Sequence, residues 1–553
     1  MQLSFAPCAS SAAMRAFSKR SRKAIRSEVF REYCSSSSIH GVRYFDQVER
    51  TSCERFWWIV VFLLSMIGCG IMIYKAYVKW NQAPIIVSFS EKTTPVWEVQ
   101  FPAITICPET KVPSSKLNFT AKMNEFKGED GDYSNATLDQ QVVDQLKAVS
   151  QLCNMIFQSN NYYLPFVNGT SEDDVVNILK NLSLSRHEVI GLCIYDNYYT
   201  RCVDYMKETI TEEGICYSFN MMSEQEIFRK NVLHTDHNYM EDWYDSTEYS
   251  KNDTIPLHAR GAGLQAGLML FLKQTKKDMD YMCTGFSQGY KLILHDPNEY
   301  PQISKHHIRI PISHEVSIAL KPQMIVTSQS AADYSWEKRQ CFFNNERYLK
   351  FFKVYNQDNC ELECITNLTL ALCGCVRFSM PRANKTKVCP LHQWHCMFDA
   401  RSILKQNDNI SKIRAMEGIE KLISNCNCLP ACSSVHYDVE ITQTSLDMEK
   451  FIQANKIPIR DSDEFFISTI EIYFKESHFI TSKRSELYGL VDFLANCGGL
   501  LGLFMGVSIL SLLEICYFIT IRPFSLRRKK NITSIKRTNE VNSSLLAVVT
   551  KVD

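Results

Sequence analysis

Two long apolar stretches lie near the ends of this 553-residue chain, and a more polar segment separates them. The first, Phe56 to Tyr74, has no charged residue, is long enough to cross a bilayer, and has tryptophan or tyrosine near both ends. The second, Cys497 to Glu514, contains Gly506, Ser508 and Glu514. Polar groups at bilayer depth usually face a water-filled path, so this pattern favours a pore over a glycine-packed anchor helix.

The segment between the spans alternates between strand-like and helix-like patterns. Alternating or β-branched runs predict strands at 85–89, 101–107, 307–310 and 465–474. Apolar residues at helical spacing predict helices over 171–184 and 446–457. The predicted fold class is therefore two transmembrane helices flanking a large, disulfide-rich α+β extracellular domain.

These patterns divide the chain into five parts. They are an N-terminal tail (1–55), a transmembrane helix (56–79), an extracellular domain (80–486), a second transmembrane helix that lines the pore (487–521) and a C-terminal tail (522–553). Lysine and arginine are concentrated in both tails, which the positive-inside rule places in the cytoplasm. The formal net charge is +1. The sequence thus predicts a lipid bilayer as a partner and no nucleic acid.

Cysteine usage and glycosylation motifs indicate the compartment of the central segment. It holds 16 of the 22 cysteines, an even number suited to an oxidising environment. It also holds eight Asn-x-Ser/Thr motifs, which are expected to carry glycans. Their asparagines are Asn118, Asn135, Asn168, Asn181, Asn252, Asn367, Asn384 and Asn409. Both features place this segment outside the cell.

Two cysteine spacings predict a stapled element. Cys360 and Cys364 are four residues apart, on one face of a helix, and Cys426 and Cys428 are two apart, on one face of a strand. Two disulfides could join these faces. The same spacings could also supply zinc ligands, but an extracellular setting favours disulfides.

Several motifs resemble the epithelial sodium channel/degenerin family, and within it an insect pickpocket-type subunit. The resemblance runs from Ser38 to Glu514. Its motifs are SIHG at 38–41, FPAITIC at 101–107, GICYSFN at 214–220, the cysteine-rich run 360–396, CNCLPAC at 426–432 and GLFMGVSILSLLE at 502–514. It implies a homo- or heterotrimer of two-span plasma-membrane subunits that passes sodium ions and is blocked by amiloride.

The resemblance also assigns roles to individual residues. It gives the selectivity filter to Gly506, Val507 and Ser508, the blocker site to Gly502, gating roles to His40, Gly41 and Ala495, and pore-mouth charge to Asp492 and Glu514. As one straight helix, residues 487–521 would be ~52 Å long, whereas the hydrocarbon core is ~30 Å thick. A tilt, an extension or a break is therefore required, and Gly506 offers a place for a break.

A nested set of disulfides is implied by the resemblance as well. The pairs are Cys107–Cys216, Cys193–Cys202, Cys341–Cys432, Cys360–Cys428, Cys364–Cys426, Cys373–Cys396 and Cys375–Cys389. Cys153 and Cys283 are the two outer cysteines left over, and we pair them by elimination.

Other functional classes have less support in the sequence. An ATP-gated channel has the same two-span trimeric plan, but it needs clustered extracellular lysines and a sparser cysteine pattern. A non-conducting surface receptor would explain the glycosylated domain but not the pore-like span. No arrangement of nucleophile, base and oxyanion donors emerges, so an enzyme, a cofactor and a resident metal are not expected. The stimulus is left open between chemical, osmotic and mechanical.

Overall fold

The computed structural model describes residues 27–45, 50–82, 85–127, 139–153, 175–196, 206–230, 232–233, 256–405, 426–456 and 465–549. The chain divides into two compact units. We call Met1–Ile85 with Glu486–Asp553 the membrane unit, and Ile86–Ser485 the extracellular unit.

Helices and strands are numbered here in chain order over the described residues. The helices are α1 (27–36), α2 (Ser52–Gln82), α3 (Phe119–Lys127), α4 (Gln140–Ser150), α5 (Val175–Leu182), α6 (Arg186–Val189), α7 (Glu224–Ile227), α8 (Gln329–Ala332), α9 (Trp336–Arg339), α10 (Gln357–Cys373), α11 (Trp394–Lys405), α12 (Met448–Ala454), α13 (Leu490–Met505) and α14 (Ile509–Val549). The strands are β1 (Ile85–Pro95), β2 (Ala103–Pro108), β3 (Ile190–Tyr195), β4 (Lys207–Thr211), β5 (Gly214–Phe219), β6 (Val232–Leu233), β7 (Leu268–Thr275), β8 (Tyr290–His295), β9 (Ile308–Ile310), β10 (His314–Thr327), β11 (Arg382–Ala383), β12 (Ser434–Ser445), β13 (Phe465–Phe474) and β14 (His478–Glu486).

The membrane unit is built on three apolar helices. Helix α2 contains the predicted first span, and the predicted second span appears as two helices, α13 and α14, on either side of a short break. Helices α2 and α13 pack side by side. The Ser65 hydroxyl donates to the Phe504 carbonyl at 2.8 Å, and the rings of Trp80 and Phe493 stack with centroids 5.1 Å apart.

The extracellular unit contains two main sheets. In the seven-stranded sheet the order is β1-β14-β10-β13-β7-β3, and β12 also pairs with β10. The five-stranded sheet has the order β4-β5-β2-β8-β9. Along the central strand β10, Val316, Ile318 and Leu320 are fully buried, whereas Lys321 and Gln323 are exposed. This period of two shows why the segment folds as a strand with one face in the core.

The four strands and two helices predicted from hydrophobic patterning are confirmed where the structure describes them. The four predicted strands are β1, β2, β9 and β13, and β13 has the predicted bounds. The helix predicted over 171–184 is α5, with residues 171–174 outside the described ranges, and the helix predicted over 446–457 is α12.

Within the described residues, seven disulfides hold the extracellular unit together. They join Cys107 to Cys216, Cys153 to Cys283, Cys341 to Cys432, Cys360 to Cys428, Cys364 to Cys426, Cys373 to Cys396 and Cys375 to Cys389. All seven are pairs named from the sequence. Cys193 is also disulfide-bonded, and its predicted partner Cys202 lies outside the described residues.

The strand predicted at Cys426 and Cys428 is wrong. Residues 426–430 form no strand, and the Cys428 N–H donates to the Cys426 carbonyl at 2.9 Å, which closes a tight turn. Pro430 has no N–H to contribute to a sheet, which also disfavours a strand here. The turn still presents both sulfurs to α10, where Cys360 and Cys364 bind them. The four sulfurs are used in disulfides, so the zinc alternative is set aside.

Candidate functional site

The break between α13 and α14 lies at the predicted filter, Gly506-Val507-Ser508. Helix α13 ends where Gly506 adopts a left-handed conformation, with φ 65° and ψ 23°. The N–H groups of Gly506 and Val507 fold back on the last turn and donate to the Gly502 and Leu501 carbonyls, at 2.8 and 3.2 Å. A side chain would be strained at this φ, so glycine is the residue that suits the end of this helix.

Ser508 lies immediately before α14, in the position of its N-cap. Its hydroxyl accepts from the Ser511 N–H at 3.2 Å, and the Ser508 N–H donates to the Ser511 hydroxyl at 3.1 Å. These reciprocal bonds satisfy backbone donors at the start of α14, as an N-terminal cap does. The Ser508 hydroxyl thus has a local role as well as the filter role that the resemblance implies.

The predicted gating motif packs against the break. The His40 N–H donates to the Met505 carbonyl at 2.8 Å, and a Cβ on Gly506 would lie 2.8 Å from the His40 ring. Gly41 has φ 87°, which a side chain rarely adopts and which turns the chain back at this point. Ile39 is buried in a small apolar cluster that includes Val507. The structure therefore brings the motif and the predicted filter together.

The N-terminal segment that contains His40 also contacts Glu514. One of its carboxylate oxygens, Oε2, accepts from the Ser38 hydroxyl at 3.0 Å and from the Ser38 N–H at 3.3 Å. The Ser38 hydroxyl also lies 2.7 Å from the Ser511 hydroxyl. About two turns further along α14, Glu32 accepts from Arg522 Nε at 2.9 Å, which ties α1 to α14. The N-terminal segment is thus joined to α14 through polar contacts as well as apolar ones.

Ala495 and Gly502 lie on one face of α13, seven residues apart. Ala495 is exposed in the single chain. A Cβ on Gly502 would meet nothing within 4 Å, and the same is true of Gly499 between them. This face therefore has room for a small ligand or for a neighbouring subunit.

Asp492 lies at the start of α13, and its carboxylate accepts from the Gly489 N–H at 3.0 Å. Nearby, the Asn496 side-chain amide donates to the Tyr488 hydroxyl at 2.5 Å, and Lys79 lies over the Tyr488 ring with Nζ 5.0 Å from its centroid. Asp492 therefore caps the N-terminus of its own helix, at the outer end of α13. The helix dipole also stabilises a negative charge at this end.

Sequence reasoning did not find all the residues of this site. Ser38 and Ser511 link the N-terminal segment to α14, and Glu32 with Arg522 adds a second link. The spacing of Ser508 and Ser511 is that of a capping box, which could have identified this pair. Nothing in the sequence pairs Ser38 with Glu514, because 476 residues separate them.

Four of the predicted glycosylation sites lie in the described residues. Asn118, Asn181 and Asn384 are exposed. Asn367 is half-buried on α10, and Thr369 of its motif is fully buried and donates to the Ile365 carbonyl at 2.7 Å. The other four, Asn135, Asn168, Asn252 and Asn409, fall outside the described ranges.

Comparison with known proteins gives a family match over most of the chain. The family described as amiloride-sensitive sodium channel matches residues 33–518, which include the apolar stretches 56–74 and 497–514 and the whole region between them.

Individual relatives align over a similar extent. Pickpocket protein 28 of Drosophila melanogaster is 28% identical over 531 residues, which cover 92% of this chain and 80% of the relative. Sodium channel protein Nach of Drosophila melanogaster is 23% identical over 527 residues, covering 90% of this chain and 87% of the relative. Acid-sensing ion channel 1A of Danio rerio is 20% identical over 514 residues, covering 90% and 89%.

Proposed function

The chain belongs to the amiloride-sensitive sodium channel family, and we propose that it forms a sodium-selective, amiloride-sensitive channel opened by an extracellular chemical, osmotic or mechanical stimulus. Family membership makes it a two-span cation-channel subunit of the plasma membrane, in a family of trimers, and not an enzyme. It also sets aside the ATP-gated channel and the non-conducting receptor that the sequence left open.

The observation that carries the proposal is the break at Gly506. Three copies of this non-helical stretch around a threefold axis would direct backbone oxygens and the Ser508 hydroxyl toward a narrow path, where they replace the hydration shell of a sodium ion. Non-helical backbone at membrane depth is tolerated only where it lines a cavity or is buried in protein. The contact of His40 with the break supports a gating role for His40 and Gly41.

The remaining roles follow from position. Glu514, one and a half turns beyond Ser508, would form a ring of carboxylates that attracts cations and excludes anions. Asp492 would add negative charge at the outer end. Gly502 has the open space that a blocker requires, and Ala495 has the small side chain that a closed, crowded pore requires. Both termini would be cytoplasmic, and the subunit would assemble with copies of itself or with related subunits.

Expression of the Ala495→Val variant tests the function without knowledge of the stimulus. Overpacking a tight contact costs ~1–3 kcal/mol per site, and a threefold pore repeats the change three times. Moving a channel from mostly closed to mostly open needs ~5 kcal/mol, so the change is large enough. We expect a standing inward sodium current that amiloride blocks, and no such current from Ala495→Gly.

Two outcomes would contradict the proposal. If Ala495→Val reaches the cell surface with a related subunit and passes no current, this position does not gate a pore. If the current passes potassium as readily as sodium, the channel class stands but the sodium selectivity does not. Surface biotinylation provides the measure of expression for each variant.

A further inference from the structure

The extracellular unit contains a charged cavity of about 450 Å³ that the proposed pore does not use. One wall is the five-stranded sheet, with residues from β8, β9 and the turns that follow β2 and β4. The other wall is α11 and the segment between α10 and β11. The volume is in the range of pockets that bind small molecules.

Positive charge is in excess in this cavity. Five cationic side chains and three carboxylates line it, an excess of two positive charges. The cations are Lys111, Lys291, Arg309, Arg377 and Arg401, and the carboxylates are Glu109, Glu212 and Glu213.

The charges of the sheet wall are largely matched. Glu213 binds Lys111 and Lys291, at 2.7 and 2.8 Å, and Glu109 binds Arg309 at 3.2 Å. Burial alone would raise the pKa of Glu213, but the two ammonium groups hold it well below its usual range. Glu213 is therefore ionised, and these carboxylates are already used by the sheet's own cations.

The two arginines of the helical wall have no such partner. Arg377 donates from Nη2 to the carbonyls of Glu212 and Gln151, at 3.0 and 3.4 Å. Arg401 donates to the Ser304 hydroxyl. Within the described residues, no carboxylate oxygen lies within salt-bridge distance of either guanidinium. The carboxylate of Glu212, in the turn that follows β4, instead accepts a hydrogen bond from the Ser304 N–H at 2.7 Å.

Unmatched guanidinium groups in a cavity are costly. Burial lowers the pKa of Arg377. The Glu212 and Glu213 carboxylates offset part of this effect, and the charge of Arg401 adds to it. An arginine nevertheless keeps its charge in a protein, so an anion bound between the two guanidinium groups would relieve more of this cost. The planar guanidinium suits carboxylate and phosphate groups, which it can bind through two parallel hydrogen bonds. Leu152, Met397 and Phe398 give the same cavity an apolar part.

We propose that this cavity binds a small anionic molecule that carries carboxylate or phosphate groups, with Arg377 and Arg401 as its main ligands. The apolar residues would contact the rest of the molecule. Such a ligand would bridge the two walls of the cavity, the five-stranded sheet and the helical wall. The proposal is independent of the pore, because it concerns binding alone and uses none of the filter residues.

Thermal unfolding of the purified full chain in detergent provides the test. Citrate and inorganic phosphate serve as probes, and sodium chloride of equal ionic strength gives the baseline. A ligand that binds the folded state raises the unfolding temperature with concentration, in a saturable way. We expect one of the two probes to do so. A response to citrate alone identifies a carboxylate ligand, and a response to phosphate alone identifies a phosphate ligand.

Variants assign the effect to the cavity. Arg377→Gln and Arg401→Gln should each weaken the apparent affinity about tenfold or more, since each removes a charged hydrogen-bond donor. Arg260→Gln, which changes an arginine exposed on the surface, should leave the affinity unchanged. If Arg377→Gln does not fold, Arg401→Gln carries the test, because its one hydrogen-bonding partner in the described residues is a serine hydroxyl. The proposal is overturned if neither probe stabilises the chain beyond sodium chloride, or if the stabilisation persists in Arg401→Gln.

Discussion

The hydroxyl of Ser508 serves two requirements that a substitution can separate. It caps α14 through the Ser511 N–H, and the proposed filter needs it beside the ion path. Loss of an N-cap costs ~1 kcal/mol, which is small beside the several contacts that hold this region. Threonine keeps both the hydroxyl and the capping ability, whereas alanine loses both.

We therefore expect Ser508→Ala to shift the reversal potential toward that of potassium while anions stay excluded, and Ser508→Thr to retain sodium selectivity. Reversal potentials in mixed sodium and potassium solutions, in the Ala495→Val background, provide the measurement. An unchanged permeability ratio in Ser508→Ala would mean that this hydroxyl only caps the helix.

A second residue-scale case lies in the extracellular unit, where Glu299 faces Asp358. Burial, and then the hydrogen bond and negative charge of Asp358, raise the pKa of Glu299 well above its usual range. Burial would also raise the pKa of Asp358, but the hydrogen bond from Glu299 and the charge of Lys305 lower it overall. The pair thus consists of a protonated Glu299 that donates to an ionised Asp358, near the N-terminus of α10.

The sign of the pH dependence follows from that assignment. A group whose pKa is raised by folding contributes stability at low pH, and the contribution is lost as the pH rises through its folded pKa. Glu299→Gln also donates to Asp358 but cannot ionise. As the pH rises from about 4, near the ordinary pKa of a glutamate, into the alkaline range, we expect the unfolding temperature of the unmodified chain to fall more than that of Glu299→Gln. Glu476→Gln, at an exposed position, is the control. Parallel curves for all three proteins would contradict the assignment.

At the scale of elements, the N-terminal segment acts as a support for the broken span. It contacts the end of α13 through His40 and the start of α14 through Ser38. Hydrogen bonds to charged groups are worth ~1.5–3 kcal/mol, so the bond from Ser38 to Glu514 is a substantial part of this support. Without it, we expect the break to have more freedom and the proposed filter to be less well ordered.

We expect Ser38→Ala to reduce sodium-over-potassium selectivity and the sodium current in the Ala495→Val background. Ser36→Ala is the matched control, because among the described residues the Ser36 hydroxyl donates only to the Glu32 carbonyl within α1. Currents are normalised to surface protein measured by biotinylation. Identical behaviour of Ser38→Ala and Ser36→Ala would show that the contact with Glu514 does not support the filter.

The same elements show what the sequence could and could not predict. The length of residues 487–521 predicts a break, a tilt or an extension, because a straight helix of this length exceeds the thickness of the bilayer core. Gly506 is the predicted position for a break, because glycine readily adopts a positive φ. Both properties can be read from the local sequence. The strand at Cys426 was predicted incorrectly, because spacing of two fits a turn as well as a strand. The link from Ser38 to Glu514 and the charged cavity depend on the tertiary fold, which no local pattern encodes.

At the scale of the whole molecule, disulfides and glycans both report on topology. The seven disulfides lie in the extracellular unit, and loss of a native bridge typically costs ~2–5 kcal/mol. The free cysteines among the described residues, such as Cys34, Cys69 and Cys516, all lie in the membrane unit. This division agrees with an oxidising environment for one unit and a reducing or lipid environment for the other.

Glycan mapping tests that topology at individual positions. We expect glycans at Asn118, Asn181 and Asn384, which are exposed, so each Asn→Gln variant should migrate one step faster than the unmodified chain, and glycosidase treatment should abolish the difference. Asn367→Gln should run as the unmodified chain does, because the threonine of its motif is buried in a helix held by disulfides.

The motifs at Asn531 and Asn542 follow the second span, so they should stay unmodified if the C-terminus is cytoplasmic. A glycan at either position would place the C-terminus outside the cell. The chain would then cross the membrane an odd number of times, and the pairing of α13 and α14 as one broken span would be wrong.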